Sequence, residues 1–461
     1  MLKLNKKRTF LIGFAFFGIL LLWQVYDSWC PTLLTEIIKN RLGTTDELEV
    51  QWLVGIIMAC DNLAALILLP IFGSLSDKTK SPIGKRMPYI LVGTFVSAIA
   101  FPFIPLFCHL NKIGAMIAMM AIVLMFMMMY RNPAVALMPD ITPKPLRAKA
   151  NGIINIMGYL GGAFATVLGM VFVLSSYLKG SHNLMTIEIP FVLASVLMVI
   201  SALVLFFTIK ENKVAEEIKD EMAEGERLAA IADPVDDSKP MSKANKIMLL
   251  AILGAEFLWF MSDNALGTYL NNDVYYAMGS ASSKTSPMVI LGGLASVIGF
   301  ATAGFIADKI GRKYTISIGL ALTFVGLVLM CFIKKSSQTY VDKLGAVYNV
   351  FPTMLLFVWI IKGYGMALVH NCSFPMVVEL CSSNNIGKFT GYYYAASMSA
   401  QTVTPVLLGL ILKASGAWSV LPKYATILTL ASLVVFFFLV KNIKTEKVSN
   451  VKGLEAIGGD D

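Results

Sequence analysis

The chain has 461 residues, of which 57% are hydrophobic and only 15% are charged. Soluble domains average about 25% charged residues, so this composition excludes a water-soluble fold. The net charge of +9 would favour a nucleic-acid partner in a soluble protein, but here Lys and Arg lie between apolar runs, which is typical of membrane topology signals. We therefore expect no nucleic-acid partner and a protein embedded in the lipid bilayer.

Twelve apolar segments are long enough to span a membrane, since a span needs about 20 mostly apolar residues. In chain order we predict six spans at 10–34, 52–73, 88–108, 114–138, 149–176 and 188–209. Six more follow a polar stretch, at 246–270, 286–307, 313–333, 352–378, 387–413 and 420–441. The first apolar run follows Lys3, Lys6, Lys7 and Arg8 as in a signal peptide. It is too long for one and has no small-residue cleavage site, so we interpret it as the first span.

The polar stretches predict the domain organisation. We expect an N-terminal bundle at 1–209, a cytoplasmic linker with one surface helix at 210–245, a C-terminal bundle at 246–441 and a cytoplasmic tail at 442–461. If the N-terminus is cytoplasmic, 26 Lys and Arg residues lie on that side and 10 on the other. The positive-inside rule therefore predicts that both termini lie in the cytoplasm.

The residues outside the spans are too few for a catalytic domain. Neither H-E-x-x-H nor G-x-S-x-G occurs, so we predict that the chain is not an enzyme. The six cysteines are scattered without metal-binding spacing and are predicted to be free thiols. We expect no bound cofactor.

The two halves of the chain share three landmarks at nearly constant spacing. The offsets are 236, 231 and 239 residues, and the pairs are Trp23 to Asp27 with Trp259 to Asp263, Gly73 to Asp77 with Gly304 to Asp308, and Arg131-Asn132 with His370-Asn371. Parallel repeats of this kind place a substrate site between the halves at mid-depth, reached from either side in turn. We therefore predict an all-α fold of twelve transmembrane helices in two pseudo-symmetric six-helix bundles.

The loops after the second and eighth spans resemble the G-x-x-x-D-(x)-G-R-K signature of the major facilitator superfamily. Such glycines let helices approach closely, and the Asp and basic residues can pair at the membrane face in one conformation and separate in another. The predicted gating residues are Gly73, Asp77, Gly84, Lys85 and Arg86 in the first copy, with Asp140 and Arg147 after the fourth span, and Gly304, Asp308, Gly311, Arg312 and Lys313 in the second.

A narrower resemblance rests on two segments. The run Gly84-Lys-Arg-Met-Pro-Tyr-Ile-Leu91 and the stretch from Pro139 to Gly162 are similar to those of the sucrose/proton symporters and the melibiose-type glycoside/cation symporters. The similarity is sharp only from about Asp61 to Gly162. It implies a bacterial relative of these carriers, a monomer in the cytoplasmic membrane.

Two departures from the family pattern concern the coupling ion and the sugar contacts. Where melibiose-type carriers keep two Asp residues for sodium, this chain has Ala65 and Leu69, which favours protons. The fourth-span Arg of the sucrose symporters is replaced by Val135, and Arg131 lies one helical turn earlier on roughly the same face. We transfer the role of that Arg to Arg131.

Ionisable side chains inside spans are costly and usually face a cavity. The predicted proton-coupling candidates are Asp27, Asp61, Arg131, Glu256, Asp263 and His370, and Lys362 also lies within a span. Asp27 and Asp61 are at similar depth, so they can share a proton. The alternative role for each is an ion pair that holds helices together.

Sugars are bound by amide side chains and flat aromatic faces. The substrate-binding candidates of these types are Gln24, Asn62, Asn132, Asn151, Asn155, Trp259, Asn264, Asn371 and Tyr392. We therefore predict proton-coupled import of a disaccharide or glycoside. The alternatives are a sodium-coupled or uncoupled carrier of another solute, an exporter, and a non-transporting nutrient sensor.

Overall fold

The computed structural model describes residues 2–143, 146–173, 187–232, 243–342, 345–378, 380 and 386–441. Within these residues, 12 helical segments are long and apolar enough to cross a membrane. This number confirms the twelve predicted spans. The predicted tail at 442–461 and linker residues 233–242 lie outside the described residues.

In its described residues the first half contains seven helices, of which α3 and α4 together form the third span. They are α1 (Lys6–Leu42), α2 (Gln51–Lys78), α3 (Met87–Ala100), α4 (Phe103–His109), α5 (Ile113–Asp140), α6 (Arg147–Val171) and α7 (Glu188–Thr208), with a 3₁₀ turn at Leu48–Val50. The linker contains α8 (Glu211–Glu217) and α9 (Lys219–Ala232).

The part of the second half that the structure describes contains six spanning helices and one hairpin. These elements are α10 (Lys243–Asn272), α11 (Thr285–Ile310), α12 (Arg312–Phe332), strands β1 (Thr339–Val341) and β2 (Val347–Asn349), α13 (Met354–Val378), α14 (Ile386–Ser415) and α15 (Val420–Leu439). A π-helical turn at Asp273–Ala277 extends α10, and a 3₁₀ turn at Ser282–Lys284 precedes α11. The strands are antiparallel, with Tyr340 opposite Tyr348.

Helix ends extend beyond the apolar runs that predict them. α1 starts where the Asn5 side chain accepts a 3.0 Å hydrogen bond from the main-chain N–H of Arg8. It ends at Gly43, whose φ of 68° is left-handed and favours glycine. These local capping signals, and not hydrophobicity, set the 37-residue length of this helix.

The helices pack as two bundles with a shared contact surface. In the first half α1 packs on α6 and α7, and α3 on α5; in the second, α13 packs on α11 and α12, and α10 on α15. Between the halves, α2 packs along α14 and α1 along α10. We call the side where α1 begins and α15 ends the terminal face, and the opposite side the distal face.

Candidate functional site

A cavity of about 460 Å³ lies between the two halves. Small-molecule sites range over about 300–1,000 Å³, so a small solute fits. Its walls come from helices of both halves, and seven of the predicted site residues line it: Gln24, Asp27, Asp61, Asn62, Arg131, Asp263 and Asn264. Lys362 and Gln401 line it as well.

The N-terminal wall carries three charged groups. The Asp27 side chain is exposed to the cavity, whereas Asp61 is 7% exposed and its Oδ1 accepts a 2.5 Å hydrogen bond from the main-chain N–H of Asn62. Arg131 acts on both carboxyl groups through electrostatic attraction. Within the described residues, neither Asp27 nor Arg131 has a hydrogen-bond or ion-pair partner at contact distance. These two groups are therefore available to a proton and a solute.

The C-terminal wall instead holds a closed ion pair. Lys362 Nζ lies 2.5 Å from Asp263 Oδ1, and 5.4 Å from the centre of the Trp359 ring. His370 interacts electrostatically with both members of the pair, and its ring lies 5.3 Å from that of Phe260. Although Asp27 and Asp263 are equivalent in the repeat, only Asp263 has a partner in contact.

Two buried polar atoms on the cavity wall have no hydrogen-bond partner in the described chain. They are the indole Nε1 of Trp23, a donor, and the amide Oδ1 of Asn264, an acceptor. Leaving such a group unsatisfied costs about 1–3 kcal/mol. Both atoms are covered in this conformation, so a solute with hydroxyl groups, which donate and accept, would reach them only after the surrounding side chains shift.

The other predicted residues lie away from the cavity. Glu256 and Trp259 are 0% and 1% exposed, and neither Glu256 oxygen has a partner in the described chain. Asn132 Nδ2 donates to the main-chain oxygen of Leu69 at 2.5 Å and so joins α5 to α2. His370, Asn155, Asn371 and Tyr392 are not among the described cavity-lining residues, and the Asn151 side chain lies outside the described residues.

On the distal side, a buried polar cluster joins the two halves. Asn272 Oδ1 accepts from Thr32 Oγ1 at 2.6 Å, and its Nδ2 donates to Thr35 Oγ1 at 3.2 Å and to Gln51 Oε1 at 3.3 Å. All four side chains are 0–1% exposed. We call this set the distal lock. Sequence analysis missed it because amides and hydroxyls in helices carry no charge signal.

Around the distal lock, aromatic and acidic side chains form a rim. Tyr276 in the π-helical turn donates to Glu36 Oε1 at 2.5 Å and stacks on Trp418, whose Nε1 donates to Glu47 Oε1 at 3.2 Å. Asn271 Nδ2 donates to the main-chain oxygen of Ser28. The distal face is thus closed in this conformation.

On the terminal face, the first motif copy forms a salt-bridge cluster. Arg86 pairs with Asp77, and its Nε donates to Asp140 Oδ2 at 2.7 Å, while Lys85 Nζ lies 3.1 Å from the same oxygen. Burial lowers the pKa of Arg86, but the bonds to Asp140 and Asp77 outweigh it and keep the pKa above its ordinary value. Arg147 Nη2 donates to Pro139 O at 2.8 Å.

The linker is attached to this loop. The Glu211 carboxylate accepts hydrogen bonds from the main-chain N–H groups of Lys85, Arg86 and Met87 at 3.0–3.2 Å, at the N-terminus of α3. Asn212 Nδ2 donates to Ser81 O at 2.9 Å. Burial raises the pKa of Glu211 above its ordinary value, and these hydrogen bonds offset only part of the shift.

The second motif copy is shorter and more open. Gly311 has φ 89°, which accounts for glycine between α11 and α12. Gly304 and Asp308 are exposed, and Lys313 Nζ lies 5.1 Å from the Phe437 ring. Arg312 is half-buried. The two copies are therefore equivalent in sequence position but differ in their contacts.

Comparison with known proteins identifies the family. The family model described as Major Facilitator Superfamily matches residues 9–341 and 248–457. The chain belongs to the major facilitator superfamily. The resemblance of the two motif loops is thereby confirmed at the level of the superfamily, whose members are membrane transporters and not enzymes, and the chain has the helices of a multi-pass membrane protein.

Relatives in Bacillus subtilis (strain 168) are distant. An uncharacterised transporter of the superfamily is 25% identical over 223 residues, which is 47% of this chain and 48% of the relative. A hexuronate transporter is 23% identical over 288 residues, which is 60% of this chain and 61% of the relative. The chain thus matches about half to three fifths of these relatives' length.

Solved structures support the fold over nearly the whole chain. A peptide transporter in complex with sulfate has a TM-score of 0.64 at 14% identity, covering 94% of this chain and 93% of that one. A bacterial homologue of the lysosomal transporter Spinster, in an inward-facing and occupied conformation, has a TM-score of 0.61 at 14% identity, covering 94% and 96%. At these identities the likeness shows the fold alone.

Proposed function

We propose that this protein imports a disaccharide or related glycoside across the cytoplasmic membrane by proton symport, with both termini in the cytoplasm. The observation that carries the proposal is the cavity between the halves, where Asp27 and Asp61 lie near Arg131, which has no ion-pair partner in contact within the described residues. A carboxyl group in that position can take a proton from one side of the membrane and release it to the other.

The lining of the cavity supports a polyhydroxylated substrate. The amides Gln24, Asn264 and Gln401 offer donors and acceptors, and Trp23 and Trp359 offer flat ring faces. A sugar ring needs both kinds of group. The apolar Ala65 and Leu69, at the positions of the sodium-binding Asp pair in melibiose-type carriers, support protons as the coupling ion.

The closed distal lock supports alternating access. With the distal side joined, we assign this conformation to a state whose cavity is reached from the terminal face. The excess of Lys and Arg in the loops of that face, 26 against 10, supports its assignment to the cytoplasm.

The test is uptake by purified protein in liposomes. Labelled maltose and sucrose are offered with an inward proton gradient, with a sodium gradient and with neither. We expect accumulation only with the proton gradient, and its loss in Asp27→Asn and Asp61→Asn. The matched control is Asp46→Asn, in the loop between α1 and α2. Sodium-driven accumulation would contradict proton coupling, and failure to transport either sugar would contradict the substrate class.

An acidic sugar is a second candidate substrate. One relative is a hexuronate transporter, and Arg131 has no partner in contact within the described residues, so it could bind a carboxylate. Uptake of labelled glucuronate, measured beside maltose in the same liposomes, separates the two. If unlabelled glucuronate inhibits the labelled uptake and unlabelled maltose does not, the acidic sugar is favoured.

A further inference from the structure

The contact between α2 and α14 is tight on the distal side. A Cβ on Gly55 would collide with the main chain of Pro405, and one on Gly409 would meet the main chain of Gln51 and Trp52. Small residues allow helices in a membrane to approach this closely. Tyr269 Oη also donates to Pro405 O at 2.8 Å.

Nearer the terminal face, a hydrogen bond between Asn62 and Gln401 joins the two helices. Pro405 has no N–H, so the carbonyl of Gln401, four residues earlier, has no partner in its own helix. Asn62 Nδ2, from the other half, donates to that carbonyl at 3.4 Å. Typical N–H···O bonds measure about 2.7–3.2 Å, so this one is long and a small displacement breaks it. We call the Asn62–Gln401 pair the fork.

The fork adjoins a carboxyl group. Asp61 precedes Asn62, and its Oδ1 accepts from the Asn62 main-chain N–H. The titratable groups that face Asp61 are Asp27, Tyr26 and Cys30 on α1 and Arg131 on α5, with Cys60 beside it on α2. On α14 the neighbouring group is the uncharged Gln401. Asn62 therefore bonds both to the Asp61 carboxyl group and to the Gln401 carbonyl of α14.

We propose that Asn62 is a positioning residue that transmits the protonation state of Asp61 to the fork between α2 and α14. When Asp61 is ionised, its charge-assisted bond to the Asn62 N–H holds the residue in place and the side-chain amide stays on the Gln401 carbonyl. When a proton from the cavity binds the carboxylate, that bond weakens and the long bond at the fork breaks. The inference rests on the proposed function, in which Asp61 is a proton site.

The test measures how far α2 and α14 separate on the terminal side of the fork, without a substrate. Spin labels are placed at Ser74→Cys on α2 and Ala395→Cys on α14, both exposed and on the terminal side of the fork. The six native cysteines are replaced by serine or alanine. Electron–electron resonance distances are recorded in nanodiscs from about pH 5 to about pH 8, the range over which carboxyl groups linked to a conformational change titrate. We expect a two-state shift with pH.

Two variants and two matched controls decide the outcome. Asn62→Leu and Pro405→Ala are expected to abolish the shift or to move its midpoint by about one pH unit or more, where one unit equals about 1.4 kcal/mol. Thr402→Val removes a hydroxyl whose bond in the described residues is to Met398 within α14. Pro70→Ala removes the proline inside α2, where no side-chain amide in the described residues bonds to the freed carbonyl. Both controls are expected to keep the shift.

An unchanged midpoint in Asn62→Leu and Pro405→Ala would overturn the proposal, and so would the absence of any shift in the parent protein. If the distance shift depends on Asn62 but the protein takes up no sugar, the role of Asn62 is supported and the proposed function is refuted. Proton-driven sugar uptake together with an unchanged midpoint in Asn62→Leu would support the proposed function and refute the role of Asn62.

Discussion

Asn272 illustrates how one uncharged side chain can set a conformational equilibrium. Its side-chain amide makes three hydrogen bonds, to Thr32, Thr35 and Gln51, across the boundary between the halves. Each such bond contributes about 0.5–1.5 kcal/mol net, and an orphaned partner costs more. Opening the distal face must break all three bonds.

We predict that Asn272→Ala shifts the protein towards a conformation open on the distal side by about 1.5–4.5 kcal/mol, the usual net value of three such bonds. The measurement is labelling of Ser286→Cys, on the cavity wall, by a membrane-impermeant maleimide added from the distal side. The rate should rise in the variant. Ser262→Ala is the control, because its hydroxyl bonds only to Ala425 and Thr429 in the same half. Equal labelling rates would exclude a locking role.

A charged residue within a span indicates an energetic cost of burial, but it does not indicate whether the side chain faces the cavity. Asp27 and Glu256 both satisfy the sequence criterion, yet Asp27 faces the cavity and Glu256 is 0% exposed among core side chains. Which face of a helix meets the cavity depends on how the bundle packs, and apolar residues surround both positions in the sequence. The pairing of Lys362 with Asp263 was likewise invisible, since 99 positions separate them.

At the level of elements, hydropathy located the twelve spans because burial in lipid selects for apolar residues over a fixed length. It did not locate the π-helical turn Asp273–Ala277 or the β1–β2 hairpin, which depend on tertiary contacts. The start of the linker was predicted only as part of a cytoplasmic segment with one surface helix, although Glu211 is 3% exposed and bonded to the N-terminus of α3.

The attachment of α8 has a consequence for stability. The native pKa of Glu211 lies above its ordinary value, so between these two values the native state binds more protons than the unfolded state. Stability is therefore expected to fall as the pH rises through that interval. In Glu211→Gln this component of the pH dependence should disappear.

The measurement is the thermal unfolding midpoint in detergent from about pH 4 to about pH 7, where carboxyl groups titrate. Glu217→Gln is the matched control, because Glu217 lies in the same helix with its side chain 55% exposed. If both variants show the same pH dependence as the parent, the attachment does not titrate in this range.

For the whole molecule, the repeat predicted both the twofold architecture and a site between the halves. It could not predict that the halves differ in detail. The N-terminal half presents an open Asp27 and Arg131, the C-terminal half a closed Lys362–Asp263 pair. Equivalent positions retain their place in the fold, but each half has acquired its own partners.

The orientation of the whole molecule is open to a direct test. We predict that green fluorescent protein fused after the last residue fluoresces and that alkaline phosphatase fused there is inactive, as expected of a cytoplasmic terminus. Fusions in the loop between α1 and α2, near Asp46, should give the opposite pattern. The reverse result at both sites would invert the direction of transport that we propose.

The bonds from Glu211 and Asn212 to the loop before α3 also determine the effective length of the segment that connects the bundles. Because these bonds hold α8 against the first bundle, we expect the segment that links the bundles to start in effect after Glu217 and not at Thr208. A reporter domain inserted between Thr208 and Glu211 is expected to break the contacts of α8 with the loop before α3. The same domain inserted after Ala232 is expected to lengthen the connection and to leave both bundles unchanged.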